Sequence, residues 1–182
     1  MACAIAHTDD GIPTVDVRLE RRPPFTPEAV VEQFAALFKR YRIRTVQGDS
    51  HDEDRLRKLF DRHGIQYRRC ERSASDLFGW LVDEFNNGRR FAWLDDEVLT
   101  AQLAGLVWRK LPSGREVIGH PPGAHDDLIN AVAGALRVAE RQARRHPLEV
   151  GPIELLCTRI YDPRDAPHLG TWDCDPPPRR NW

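Results

Sequence analysis

The chain has 182 residues, a formal net charge of −1, 41% hydrophobic and 30% charged residues. That length suits one domain of ordinary size, and the near-zero charge excludes a uniformly basic nucleic-acid binder but not a local basic groove. Cys3, Cys70, Cys157 and Cys174 form no Cys-x-x-Cys pair, which argues against a zinc or redox motif, and no Gly-x-x-x-x-Gly-Lys-Ser/Thr loop supports a P-loop motor.

With no signal peptide at Met1 and no apolar run near about eighteen residues, the expectation is an intracellular protein with reduced thiols. Arginines cluster at Arg68, Arg69 and Arg72, at Arg89 and Arg90, at Arg109 with Lys110, and at Arg141, Arg144 and Arg145. Singly, these read as solvated faces; they gain meaning only where the fold brings several to one side.

In chain order, Ala2–Ala6 and Ile12–Leu19 flank Thr8-Asp9-Asp10-Gly11 and predict a hairpin. Thr26 caps a helix with Pro27 at its first position, and Val30, Phe34, Leu37, Phe38 and Tyr41 form its apolar face. Arg44–Gly48 is a strand with Asp49 at its carboxyl end. Asp52 to His63 is a helix with Leu56, Leu59 and Phe60 inward, stopped by Gly64. Ile65–Cys70 is a strand, and Ser73 or Ser75 caps a helix burying Leu77, Leu81, Val82 and Phe85.

Arg90–Leu94 reads as a short strand, and Asp95 or Asp96 starts a helix using Leu99, Leu103 and Leu106. Val107–Leu111 and Glu116–Gly119 make a second hairpin around Pro112-Ser113-Gly114-Arg115. A helix from Asp126 to about Arg145 buries Leu128, Val132, Ala135, Leu136 and Ala139. Residues 1–146 are expected as one domain and 147–182 as a proline-rich tail, extended, docked through Ile153–Leu156 and disordered from Pro176.

Strands alternating with helices after an opening hairpin predict an α/β fold, a mixed sheet covered on both faces. In such sheets, ligands gather outside the carboxyl ends of parallel strands. Asp49 sits at such an end. Asp126 and Asp127 stand where the loop Gly123-Ala124-His125 becomes an apolar helix. Carboxylates drawn together from a strand end and a helix start could gather oxygen ligands around magnesium. Each acid alone has a plainer reading: Asp49 as a turn former, Asp126 and Asp127 as caps for free helix amides. His51 and His125 read as loop residues, Asp9 and Asp10 as turn formers, and Asn130 as either an orienter of a carboxylate or a solvent-facing side chain.

The joint order resembles the nuclease domain of phage and prophage terminase large subunits, of the ribonuclease H-like superfamily. The matching pieces are Pro23-Pro24-Phe25, Val46-Gln47-Gly48-Asp49, Gly64-Ile65, and His120-Pro121-Pro122-Gly123 leading into His125-Asp126-Asp127-Leu128-Ile129-Asn130-Ala131. The resemblance spans roughly Ala2 to Ala139 and implies two-metal hydrolysis of concatemeric double-stranded DNA during genome packaging, with Mg2+ or Mn2+. It carries ligand roles onto Asp49 and Asp126, with Asp127 as second choice or partner. It also implies the terminase ATPase portion, the small terminase subunit and a portal protein as partners, no membrane, and the cytoplasm of a bacterial host.

One departure counts against activity. The family's first strand bears a central aspartate, whereas Met1–His7 contains no acid and matches the second strand. The resemblance therefore implies a chain truncated at its amino end, an incomplete two-metal site and weak cleavage. It also implies an open slot between the opening hairpin and Arg44–Gly48, unless another chain fills it or the hairpin shifts. Two other readings stand beside it: an inactive nuclease-like module gripping DNA or a portal protein through its arginines, and an unrelated doubly wound domain in which the acids do no joint work.

Overall fold

The computed structural model describes residues 1–50, 52–145 and 155–158. His51 and the stretch from Pro176 onward, on which two expectations bear, lie outside the described residues. β1 (Ala2–Asp9) and β2 (Ile12–Glu20) form the opening antiparallel hairpin. Asp10 and Gly11 have φ of +47° and +77°, the mirror-image turn whose twist matches its strands.

Local chemistry starts most helices where it was expected. In α1 (Pro27–Arg40) the Thr26 hydroxyl accepts from the Ala29 N–H. After β3 (Thr45–Gly48), α2 (Glu53–Asp61) leads through Gly64, at φ +73°, into β4 (Gln66–Arg69). A reciprocal cap opens α3 (Ala74–Asn86): Ser73 Oγ accepts from the Asp76 N–H, and the Asp76 carboxylate accepts from the Ser73 N–H at 3.0 Å. Asp96 caps α4 (Glu97–Ala104) by accepting the Leu99 N–H at 2.8 Å. β5 (Val107–Lys110) and β6 (Glu116–Gly119) form a separate hairpin, followed by α5 (Asp127–Arg145) and β7 (Leu155–Thr158).

Phe85 and Arg90–Leu94 depart from the sequence expectation. Phe85 is exposed, and Phe78 takes the core place beside Leu77 and Leu81. The end of α3 has left the sheet by then, and Phe85 packs edge-on to Phe91 with ring centroids 5.4 Å apart. Arg90–Leu94 makes no strand; it touches the hairpin by one bridge, Ala92 to Thr14.

The main sheet has the order β2-β1-β7-β3-β4. β7 runs antiparallel to β1 and parallel to β3, with Leu156 level with both Ala4 and Gln47. The slot expected to stand open is thus occupied by the chain's own late strand. Docking through Ile153–Leu156 is met at Leu155 and Leu156, the part of that stretch among the described residues.

β1 is buried on both sides, as suits an interior strand. Ala2, Ala4 and Ala6 join Leu77, Phe78, Leu128, Val132 and Leu136 in one core. Cys3 and Ile5 face Val30, Phe34, Phe38, Leu56 and Phe60 in the other. The result is three layers: α1 and α2, the sheet, then α3, α4 and α5. Alanines at alternate β1 positions let α5 approach closely, and Ala131, Ala135 and Ala139 do the same from the helix.

Asp96 also holds the Arg18 guanidinium. Burial raises its pKa, but the Leu99 amide and Arg18 outweigh that and hold the carboxyl below its ordinary value. A depressed folded value stabilises above the unfolded pKa and is lost as pH falls through the folded one. The advantage of the wild type over Asp96→Asn, which keeps the cap, should be full above about pH 4 and shrink in stronger acid. Urea denaturation of both at neutral pH and in acid checks this.

Candidate functional site

The site is built on the carboxyl ends of two parallel strands. β3 and β4 pair in register from Thr45 with Gln66 to Gly48 with Arg69, so both chains leave the sheet side by side. Gly48 is required there, because a Cβ on it would lie 2.1 Å from the Tyr67 hydroxyl. Tyr67, buried and stacked on Phe60, crosses beneath and donates to the Asp49 carbonyl at 2.8 Å. The Gly48-Asp49 pair therefore has a local reason: the glycine admits the ring, and the ring fixes the backbone that carries the acid.

Asp49 borders a cleft of about 310 Å³ together with Ser50, Arg69, Glu71, Arg72, Asp76 and Asn130. Asn130 lies on α5 and is 9% exposed. Its Oδ1 is buried without a hydrogen-bond partner among the described residues, which is uncommon enough to mark the atom. Of the two readings for Asn130, solvent exposure is excluded. Hydrogen bonds to Ser73, first from its side chain and then its backbone, lower the pKa of Asp76, so that acid stays ionised and engaged at the start of α3. Burial pushes the Cys70 thiol up, which keeps it protonated near neutrality and unsuited to nucleophilic work.

The first turn of α5 is held in an unexpected way. The Gln102 side chain, buried on α4, accepts the N–H groups of both Leu128 and Ile129 at 3.0 Å. Those are the amides that a capping acid would otherwise satisfy. Asp126 supplies only its carbonyl, to the Asn130 N–H at 2.9 Å. The plain reading of Asp126 as the side-chain cap is thereby displaced. Gln102→Ala leaves two buried donors unpaired and should cost about 2 kcal/mol, read by chemical denaturation.

Asp126 turns toward β6, 3.9 Å from His120 Nε2 and against Gly119. Asp127 begins the helix one turn before Asn130, and residues three apart are neighbours on a helix surface. Neither Asp126 nor Asp127 borders the Asp49 cleft itself; Asn130 is the α5 residue that does. His125 lines a different hollow with His120 and Ala124. Among the described residues no three His, Cys, Asp or Glu side chains gather tightly enough to hold a metal ion. The hard oxygen donors of the cleft suit a magnesium-like cation that keeps several waters, not a closed all-protein cage.

The sequence reading overlooked Gln102, Glu71, Asp76 and the Tyr67 prop. Only the Ser73-x-x-Asp76 spacing signalled one of them.

No protein-family profile matches the chain, and no curated protein matches it. Solved structures do. The architecture is a mixed α/β sheet between two helix layers. Its particular form is similar to the large terminase nuclease from thermophilic phage G20c, at 22% identity and a TM-score of 0.56 over 73% of this chain and 79% of that one. The same nuclease with bound cobalt and with bound magnesium gives a TM-score of 0.57 each, again at 22% identity, over 75% and 74% of this chain and 80% of the other. The likeness is one of fold. No helix among the described residues is long and apolar enough to cross a membrane.

Proposed function

We propose that this chain is the nuclease portion of a phage terminase large subunit and hydrolyses phosphodiester bonds of concatemeric double-stranded DNA. The observation that carries the proposal is the shared cleft of Asp49, at a parallel strand's carboxyl end, and the buried Asn130 of α5, in a fold like that of a terminase nuclease. Asp49 and Asp127 hold a divalent cation, Mg2+ or Mn2+, in this reading. Asp126 steadies the start of α5 beside His120 and is the lesser ligand. Held there, such a cation would supply water activation and stabilisation of the leaving oxygen. Asn130, whose Oδ1 is buried without a hydrogen-bond partner among the described residues, positions a bound water or the Asp127 carboxyl. DNA, the terminase ATPase portion, the small subunit and a portal protein are the partners this reading brings with it.

A second reading is favoured by a specific observation. β7, the middle strand, reads Leu-Leu-Cys-Thr and contributes no carboxylate from within itself. In this reading the chain grips DNA without cutting it. Plasmid incubated with the intact chain and manganese separates the two: relaxed and linear products support the nuclease, and retained supercoils with salt-sensitive retardation support the binding module.

A further inference from the structure

We infer that a second cleft, walled by Arg69, Arg72, Arg137 and Arg141, holds the sugar–phosphate backbone of the DNA that enters the Asp49 cleft. The inference rests on the nuclease reading above. This cleft, of about 270 Å³, lies between the end of β4, the turn into α3 and the second half of α5. It continues the first: Arg69, Cys70, Glu71, Arg72 and Leu77 border both. The fold thus brings two of the arginine clusters, some seventy residues apart in sequence, to one side.

Charge singles the place out. The whole chain carries −1, yet the wall of this cleft holds five arginines, Arg68 among them, against the single carboxylate Glu71. Several arginines elsewhere are matched, such as Arg55 with Glu28, Arg57 with Glu53, and Arg89 with Glu84 and Glu140. Among the described residues, Arg69, Arg72 and Arg141 form no ion pair within 4.0 Å, although Arg72 lies close enough to Asp76 to help hold its carboxyl ionised, whereas Arg68 donates to Gln66 and is left out of the track.

Arg137 differs again. Its guanidinium lies 4.8 Å from the Trp80 ring centroid and donates to Glu140 at 2.6 Å, while its Nε is buried without a partner among the described residues. That anchoring makes Arg137 a rigid part of the wall, and the other three supply mobile forks. Guanidinium forks match phosphate oxygens bidentately. Contacts of this kind fix register without reading sequence. Arg69 and Arg72 belong to both clefts, so a phosphate held by them sets where the next one meets Asp49.

The test uses the intact chain and a short labelled duplex, in calcium to prevent cutting, with anisotropy followed from about 50 to 200 mM salt. The pair Arg69→Gln with Arg141→Gln should weaken binding at least about tenfold and flatten the salt slope by about 1.8, two phosphate contacts' worth. The control pair Arg55→Gln with Arg57→Gln, on α2, should stay within about twofold of the wild type. Cleft variants that bind like the wild type, control variants that lose as much, or an intact chain that does not bind overturn the inference. Manganese-dependent nicking by the same variants and by Asp49→Asn judges the nuclease reading separately: nicking that Asp49→Asn leaves intact removes that reading, whatever the arginines do.

Discussion

Asp49→Asn should leave the chain folded and, in the proposed nuclease reading, lower manganese-dependent nicking by about 10³-fold, equivalent to roughly 4 kcal/mol of transition-state stabilisation. The substitution keeps the size and shape of the side chain and removes its charge. The backbone at this position is held independently, since Tyr67 donates to the Asp49 carbonyl and the buried ring rests on Gly48. The cost to folding should therefore stay within about 0.5 kcal/mol, as for most changes away from a packed core. A cation site with few carboxylates has no reserve: deleting one charged oxygen leaves magnesium or manganese to its own hydration shell. Nicking assays beside thermal denaturation separate loss of chemistry from loss of structure. Equal nicking by the variant and the wild type would remove Asp49 from the site.

Leu156→Pro should be the most damaging single change to the fold. Leu156 sits in the middle strand, level with Ala4 on one side and Gln47 on the other. Proline cannot donate to a ladder and is confined to edges and bulges. Breaking β7 strips partners from β1 and β3 together, and β1 is buried on both faces from Ala2 to Ala6. A loss of about 3 kcal/mol or more is expected, a large share of the roughly 5–15 kcal/mol that holds a domain together. Urea denaturation measures it. Stability unchanged by the substitution would mean that β7 is not the strand that joins the two halves of the sheet.

Legibility in the sequence followed the range of the forces involved. Caps are local, so Thr26 was marked by its own chemistry and Ser73 and Asp96 each stood among two candidates, Ser75 and Asp95 being the others; the structure places a helix start after Thr26, Ser73 and Asp96. The Asp10-Gly11 turn was equally plain. Periodicity worked wherever a helix stayed on the sheet along its whole length, as α1 does. It misplaced Phe85 because α3 runs past the edge of the core, and a stripe says nothing about where the partner surface ends.

The long-range features were the illegible ones. β7 pairs with a strand some 150 residues earlier, and no local signal in Leu155–Thr158 names that partner. The Gln102 cap acts from α4 onto α5 and looks in sequence like any helical glutamine. The site divided along the same line. Asp49 could be read from the strand it ends, and the acid pair from the loop it closes. That Asp126 lies against His120 and Gly119 is a packing fact that spacing does not hold.

In the proposed reading a cation is held jointly from the end of β3 and the start of α5. Manganese binding to the intact chain, followed by the loss of its free-ion paramagnetic resonance signal, tests that most directly. Wild type and Asp126→Asn should bind, while Asp49→Asn and Asp127→Asn should each lose at least about tenfold in affinity, the effect of one charged oxygen on a sparse magnesium-type site. Binding that survives both of the latter substitutions unchanged would contradict it.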